Sequence, residues 1–231
     1  MTARTRVVVA GAAGRLGQVA ARAVAGAEDL ELAATLRRGE DPAAVLADVH
    51  ADVLLDVSLA EATRVLGPVA ARAGLALVIG TSALTADDRE DLDTACRAGG
   101  VPGLLVPNFS IGAVLQMRFA RDAARWLPCE VIREVHHAEK RDSPSGTARV
   151  TAAEIAAASG GAPPPIESAR RPDALAEQRV VFAGPHESLT LDHAVEDRAA
   201  YAPGLLLAVR RVATLPVGLT VGLDAVLDTS L

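Results

Sequence analysis

The chain has 231 residues, half of them hydrophobic, with a net charge of -6 and a pI near 5.4. That length carries one large domain or two modest ones with cores of their own, and the composition is too apolar for a disordered protein. The acidic balance argues against nucleic acid as the main partner, no apolar run approaches the roughly 18 residues of a membrane span, and the first residues lack a signal-peptide layout, so a cytoplasmic protein is expected.

In chain order, a β-branched run at 6–10 reads as a strand and leads through Gly11-Ala-Ala-Gly14-Arg15-Leu-Gly17 into a helix over 15–25. A second strand follows at 30–36. Asp41-Pro42 supplies an N-cap and first-turn proline for a short helix. Strands at 52–57, 75–79 and 103–106 alternate with helices at 60–73 and 85–98, the latter capped by Thr85 with acids in its first turn. Strands alternating with helices on short connections predict a Rossmann-like, doubly wound parallel sheet over residues 1–108. Cys96 and Cys129 have neither metal nor redox spacing and read as reduced core thiols.

The second half changes character. Ser110 caps a long helix to about Trp126, 130–135 reads as a strand, and 146–158 is an Ala-rich helix ending at Gly160-Gly161. The stretch 162–172 holds four prolines and reads as a loop. Strands at 179–182 and 188–192 and a helix at 205–212 follow. This predicts a smaller α+β domain over 109–198, with 199–231 returning to the first domain.

Gly11, Gly14 and Gly17 stand between a strand and a helix, where glycine lets backbone approach a pyrophosphate and the helix N-terminus offers free N–H groups. Alone, this GxxGxxG is a weak signal; the strand before it and the helix after it favour a dinucleotide site, with a tight turn for close helix–sheet packing as the alternative. An NAD enzyme usually has an acid about 20 residues on, for the ribose hydroxyls. Here Arg37 and Arg38 stand there instead, matching a 2′-phosphate and hence NADPH, with NADH also admissible.

The densest chemistry lies within Glu134–Ala148, which contains His136, His137, Lys140, Asp142 and Ser145-Gly146-Thr147. Histidine suits proton donation near neutral pH. Lys140 offers a compact cation, and Ser145-Gly146-Thr147 opens a helix whose N–H groups make a second anion site. A proton donor beside two anion sites describes a pocket for a small dicarboxylate. Adjacent histidines project oppositely from a strand, so no metal is expected. Lys140 is the chain's one lysine among 23 basic residues, and Asn108 its one asparagine.

The segment Glu134-Val-His136-His137-Ala-Glu-Lys140-Arg-Asp142-Ser-Pro144-Ser145-Gly146-Thr147-Ala148 resembles the signature of the dihydrodipicolinate reductase family, E-x-H-H-x-x-K-x-D-A-P-S-G-T-A. The phosphate loop, Pro107-Asn108-Phe109-Ser110-Ile111-Gly112, His193 to Arg198 ahead of Ala202-Pro-Gly204, and the closing helix and tail agree in order. The resemblance implies an NAD(P)H-dependent reduction of 4-hydroxy-tetrahydrodipicolinate to tetrahydrodipicolinate in lysine biosynthesis. It makes His136 the general acid, with Lys140 beside it. His137, Lys140, Ser145, Gly146 and Thr147 hold the substrate carboxylates. Gly11, Gly14, Arg15 and Gly17 hold the pyrophosphate, Arg37 or Arg38 the 2′-phosphate, and Gly80, Thr81, Asn108 and Phe109 line the nicotinamide. It further implies a homo-oligomer, a tetramer built through the second domain's sheet.

Three departures qualify this. The family's D-F-T-x-P is here Asp56-Val57-Ser58-Leu59-Ala60, and its G-T-T-G is Gly80-Thr81-Ser82-Ala83. Between Pro172 and Arg179 the chain reads as short by over ten residues, which predicts a lost strand and weakened assembly. A paralogue reducing another cyclic imine acid, and a non-catalytic nucleotide-binding protein, stand as alternatives.

Overall fold

The structure is a computed structural model that describes residues 3–81, 83–140 and 142–227. Five strands form a parallel sheet: β1 (Thr5–Ala10), β2 (Leu30–Leu36), β3 (Val53–Asp56), β4 (Ala76–Ile79) and β5 (Pro102–Leu105). A sixth, β10 (Gly218–Val221), adds beside β5, giving the order β10-β5-β4-β3-β1-β2. A parallel sheet covered on both faces needs apolar residues at successive positions rather than every second one. Val7, Val8 and Val9 meet that need, as do Leu77, Val78 and Ile79, all with no exposure.

Helices α2 (Pro42–Asp48), α3 (Ala60–Arg72) and α4 (Ala86–Gly99) bury Leu46, Leu66, Ala70, Leu92 and Cys96 against Val8, Leu54, Leu77 and Ile79 of the strands. Helix α1 (Arg15–Gly26) packs on β1 and β2 and meets α7 (Ala202–Arg211). Arg210 of α7 grips Asp29 with two 2.8 Å bonds. At Gly204 a β-carbon would lie 2.0 Å from the Phe109 carbonyl oxygen, so only glycine lets α7 approach that closely.

The chain divides into two compact units, one running to Phe109 and resuming at Tyr201, the other Ser110–Ala200. The second unit contains α5 (Ile111–Ala123), β6 (Cys129–His136), α6 (Gly146–Ser159), β7 (Ile166–Arg170), β8 (Ala176–Gly184) and β9 (Glu187–Val195). Its sheet has the order β7-β6-β8-β9, with β7 parallel to β6 and the other pairs antiparallel. Ile132, Val180 and Phe182 on one face pack with Ala120, Ala124, Ala148, Ala152 and Ile155. A buried amide pair fastens these layers: Gln116 donates to the Gln178 and Leu191 carbonyls at 2.6 and 2.9 Å, and Gln178 donates to Thr151 Oγ1 at 3.0 Å.

Two sequence expectations are corrected. The stretch 162–172, expected as a loop, contains β7. Its prolines lie outside the strand, and the Pro165 carbonyl accepts from the Ile132 N–H at 3.0 Å, starting the pairing with β6. The closing segment, expected as helix and tail, also supplies β10, whose Leu219 N–H donates to Asp93 Oδ1 at 2.7 Å. The turn 171–175 now joins β7 to β8, through the region expected to have lost a strand.

Candidate active site

In the parallel sheet the register aligns Leu36, Ala10, Asp56, Ile79, Leu105 and Val221 across neighbouring strands. Residues that follow them therefore emerge along one edge, the carboxyl ends of the strands. The helix layer changes face where the strand order reverses between β1 and β3, and in such sheets ligands bind outside the carboxyl ends at that point. Gly11, Gly14, Arg15, Gly17, Arg37, Arg38, Gly80, Thr81, Asn108 and Phe109 all follow this row.

The glycine loop is shaped by close contact. Gly11 has φ +79, and a β-carbon there would lie 2.9 Å from the Val57–Ser58 backbone. The Gly14 N–H donates to the Gly11 carbonyl at 2.9 Å, and a β-carbon on Gly17 would sit 1.9 Å from that same oxygen. Asp41, Thr85, Ser110 and Ser145 each accept a backbone hydrogen bond at the start of their helix. Gly14 caps α1 with no side chain, and the first turn of α1 holds no acid. A helix N-terminus with positive potential and no side-chain cap fits a pyrophosphate. Arg37 and Arg38 are exposed on the same edge, with no ion pair among the described residues; the Arg37 backbone N–H donates to Glu40 at 2.7 Å.

The strand ends beside this loop are tied by a buried carboxylate that sequence reading missed. Asp56, with no exposure, accepts from the Ser58 N–H at 2.9 Å, the Ser58 hydroxyl at 2.5 Å and the Thr63 hydroxyl at 2.7 Å. Thr63 lies 2.8 Å from the Thr81 hydroxyl, so Thr81 is held from below. The Phe109 ring is itself core, packed where a β-carbon on Gly80 would stand. Ser82 lies outside the described residues.

In the second unit, β6 delivers His136 at its last position, and α6 begins at Gly146. Between them the Lys140 N–H donates to the His137 carbonyl at 3.1 Å, and Lys140 Nζ meets Asp142 Oδ1 at 2.9 Å. His136 Nδ1 lies 2.5 Å from Glu134 Oε2, and Glu134 has no exposed side-chain surface. Burial pushes the His136 pKa down, with Lys140 and Arg170 acting the same way; Glu134 opposes them, and the net direction is down. Burial pushes Glu134 up, but Ser168, His136 and Arg170 together hold it below the usual carboxylate range.

Of the residues expected to hold carboxylates, His137, Lys140 and Thr147 are half-buried and Gly146 is exposed. Ser145 differs. It is buried, its hydroxyl accepts from the Ala148 N–H at 3.1 Å as helix cap, and its own N–H donates to Glu134 Oε1 at 3.3 Å. Its polar groups serve the protein interior. Arg170, unforeseen in sequence, donates to Glu134 Oε1 and to the carbonyls of Lys140 and Asp142. The two residue groups lie one in each unit.

The model of the "Dihydrodipicolinate reductase, N-terminus" family matches residues 5–109, and that of its C-terminus matches 112–227. A 4-hydroxy-tetrahydrodipicolinate reductase of Moorella thermoacetica is 35% identical, covering 99% of this chain and 100% of the relative. One from Streptomyces griseus is 40% identical, covering 97% and 98%. Among solved structures, the dipicolinate-bound dihydrodipicolinate reductase of Paenisporosarcina sp. TG-14 superposes with a TM-score of 0.87 at 27% identity, covering 97% of this chain and 100% of that one.

Proposed function

This chain belongs to the dihydrodipicolinate reductase family, and on that premise we propose that it is an NAD(P)H-dependent oxidoreductase that converts 4-hydroxy-tetrahydrodipicolinate to tetrahydrodipicolinate in diaminopimelate and lysine biosynthesis. The observation that carries this reading is the company of His136: a buried carboxylate at one ring nitrogen, and the chain's one lysine within the same loop.

The glycine loop would hold a reduced nicotinamide dinucleotide, which when bound would supply the hydride. His136 supplies the proton, and water leaves as the ring hydroxyl is lost. Lys140, His137 and the first N–H groups of α6 at Gly146 and Thr147 hold the substrate's carboxylates and so orient the ring. Gly11, Gly14, Arg15 and Gly17 hold the pyrophosphate, with Gly80, Thr81 and Asn108 toward the nicotinamide and Phe109 as the floor beneath Gly80.

NADPH is the preferred cofactor in this reading, because two exposed guanidiniums stand where an NAD enzyme places an acid. A charge-assisted bond to a partly exposed phosphate contributes roughly 1.5–3 kcal/mol, about one to two decades in affinity. NADPH should bind at least about tenfold tighter than NADH at low salt, with the gap shrinking as salt rises. Arg37→Ala with Arg38→Ala should remove most of it. Equal dissociation constants in the unaltered protein would refute the preference.

Free Cys96 and Cys129, whose thiols burial pushes up to about 11, suit a reducing compartment, and the place proposed is the cytoplasm. Homo-oligomerisation is assigned to the second unit's outer sheet face, which carries the Arg133–Glu167 and Arg179–Asp192 pairs; sedimentation of the protein tests it. The function is tested by supplying the substrate in situ from the preceding synthase and following oxidation of NADPH. Rapid turnover supports the reading. Tight nucleotide binding without turnover would redirect it to another cyclic imine acid.

A further inference from the structure

Glu134 is a charge removed from water, and its partners come from three places in the second unit: β7, the cap of α6 and its own strand β6. From β7, Arg170 stands beside His136 in the parallel ladder. Its Nη1 donates to Glu134 Oε1 at 3.2 Å and to the Ala169 carbonyl at 2.8 Å, its Nε to the Lys140 carbonyl at 3.3 Å and its Nη2 to the Asp142 carbonyl at 2.5 Å. One planar fork thus closes both flanks of the Lys140 loop onto the sheet. From α6, the Ser145 N–H reaches the same Glu134 oxygen at 3.3 Å. The other oxygen, Oε2, faces His136 Nδ1 at 2.5 Å. Both atoms are buried and in close charge contact, and neither has a hydrogen-bond partner of ordinary geometry among the described residues.

We propose that Glu134 and Arg170 are positioning residues for the reduction: Arg170 fixes the Lys140 loop in the shape that receives the dicarboxylate, and Glu134 holds the proton on Nδ1 of His136 and steadies its charged form. The inference rests on the reading of His136 as acid and of the Lys140 loop as carboxylate receptor. The physical grounds are specific. A guanidinium presents several donors in a fixed plane, which an ammonium cannot imitate. A carboxylate at Nδ1 fixes the tautomer, leaving Nε2 as the nitrogen free to act. Three charged groups face His136: Glu134 from β6, Lys140 from the loop and Arg170 from β7. Only Glu134 favours the imidazolium, so without it the acid form is confined to lower pH.

Three variants test this, with the unaltered protein as reference. Dipicolinate binding is measured by calorimetry, and kcat/KM is measured across pH. In Arg170→Met, the dissociation constant for dipicolinate should rise at least about tenfold, since a charged hydrogen-bonding group is lost from the loop, while that for NADPH stays unchanged. Arg170→Lys retains the charge beside Glu134 and hence the fold, yet should fail to restore dipicolinate affinity, because one ammonium cannot reach Glu134 and both carbonyls. In Glu134→Gln, the high-pH limb of kcat/KM should move down by about 1–3 pH units, the effect of losing an adjacent opposite charge, while a cooperative unfolding transition shows that the less stable variant still folds. Wild-type dipicolinate affinity in Arg170→Lys, or an unmoved limb in Glu134→Gln, overturns the inference alone. An unaltered protein that neither binds dipicolinate nor turns over the substrate overturns the proposed function beneath it.

Discussion

His136 stands under opposing pressures: burial and two cations disfavour its charge, and one carboxylate favours it. A general acid acts mainly in the transition state rather than in ground-state binding. His136→Gln should therefore lower kcat by about 10²–10⁴ with much less change in KM, the range for a lost general acid. An unchanged kcat would move the acid role to His137. Lys140 makes a different argument. Its ammonium sits 2.9 Å from Asp142 Oδ1, while its backbone is held by the His137 carbonyl and by Arg170. The side chain is a compact point charge on a constrained stem. Arginine is wider and planar, so Lys140→Arg should raise the KM for the dicarboxylate rather than preserve it. Near-normal kinetics there would make Lys140 a generic charge, and its survival in an arginine-rich chain an accident.

At the scale of elements, helices differ in how their first turns are closed. Helix α4 is closed by a capping box between Thr85 and Asp88, at 3.2 and 2.8 Å, and Asp88 also takes both prongs of Arg64 from α3. Helix α1 has no such closure. Thr85→Ala should cost about 1 kcal/mol of stability in urea unfolding and leave nucleotide affinity alone; a loss of NADPH binding instead would mean α4 acts on the edge loops. The capped helices and the buried strands were legible because their signals are local. Strand β7 was not: only Ile166 of its five residues is a large apolar side chain, prolines flank it, and its stability comes from the ladder with β6. Strand β10 is four residues long, begins at Gly218 with φ +113 and precedes Gly222 with φ +102, a pattern that reads as a turn-rich tail. The site divides the same way. His136, Lys140 and the glycines stand in short contiguous motifs. Arg170, 36 residues from Glu134, and Thr63, 18 from Thr81, join the site only through folding.

For the whole molecule, the charges taken out of water set how stability responds to acid. His136 and His193 both have pKa values pushed down by burial, His193 with Nε2 3.1 Å from the Ser110 hydroxyl and its ring against Gly112. A histidine whose folded pKa lies below its unfolded value, about 6.5, binds fewer protons folded than unfolded between those two values. Stability then rises with pH across that window: it is complete above the unfolded pKa and declines as pH falls through it. The slope is at most about 1.4 kcal/mol per pH unit for each histidine. The depressed carboxylates, buried Glu134 and the ion-paired Asp29, Asp88, Asp93 and Asp142, act with the same sign but lower down, losing their contribution only as pH falls below the ordinary carboxylate range. Acid should therefore weaken the protein in two stages. Urea unfolding measured at intervals from pH 8 to pH 3, conditions we choose to bracket both windows, should show a first decline beginning near pH 6.5 and a second below about pH 4. His136→Gln combined with His193→Gln should erase the first and keep the second, because glutamine gains no proton on unfolding. A stability that stays level from pH 7 to pH 5 in the unaltered protein would mean that neither imidazole is shielded from water when the chain is folded.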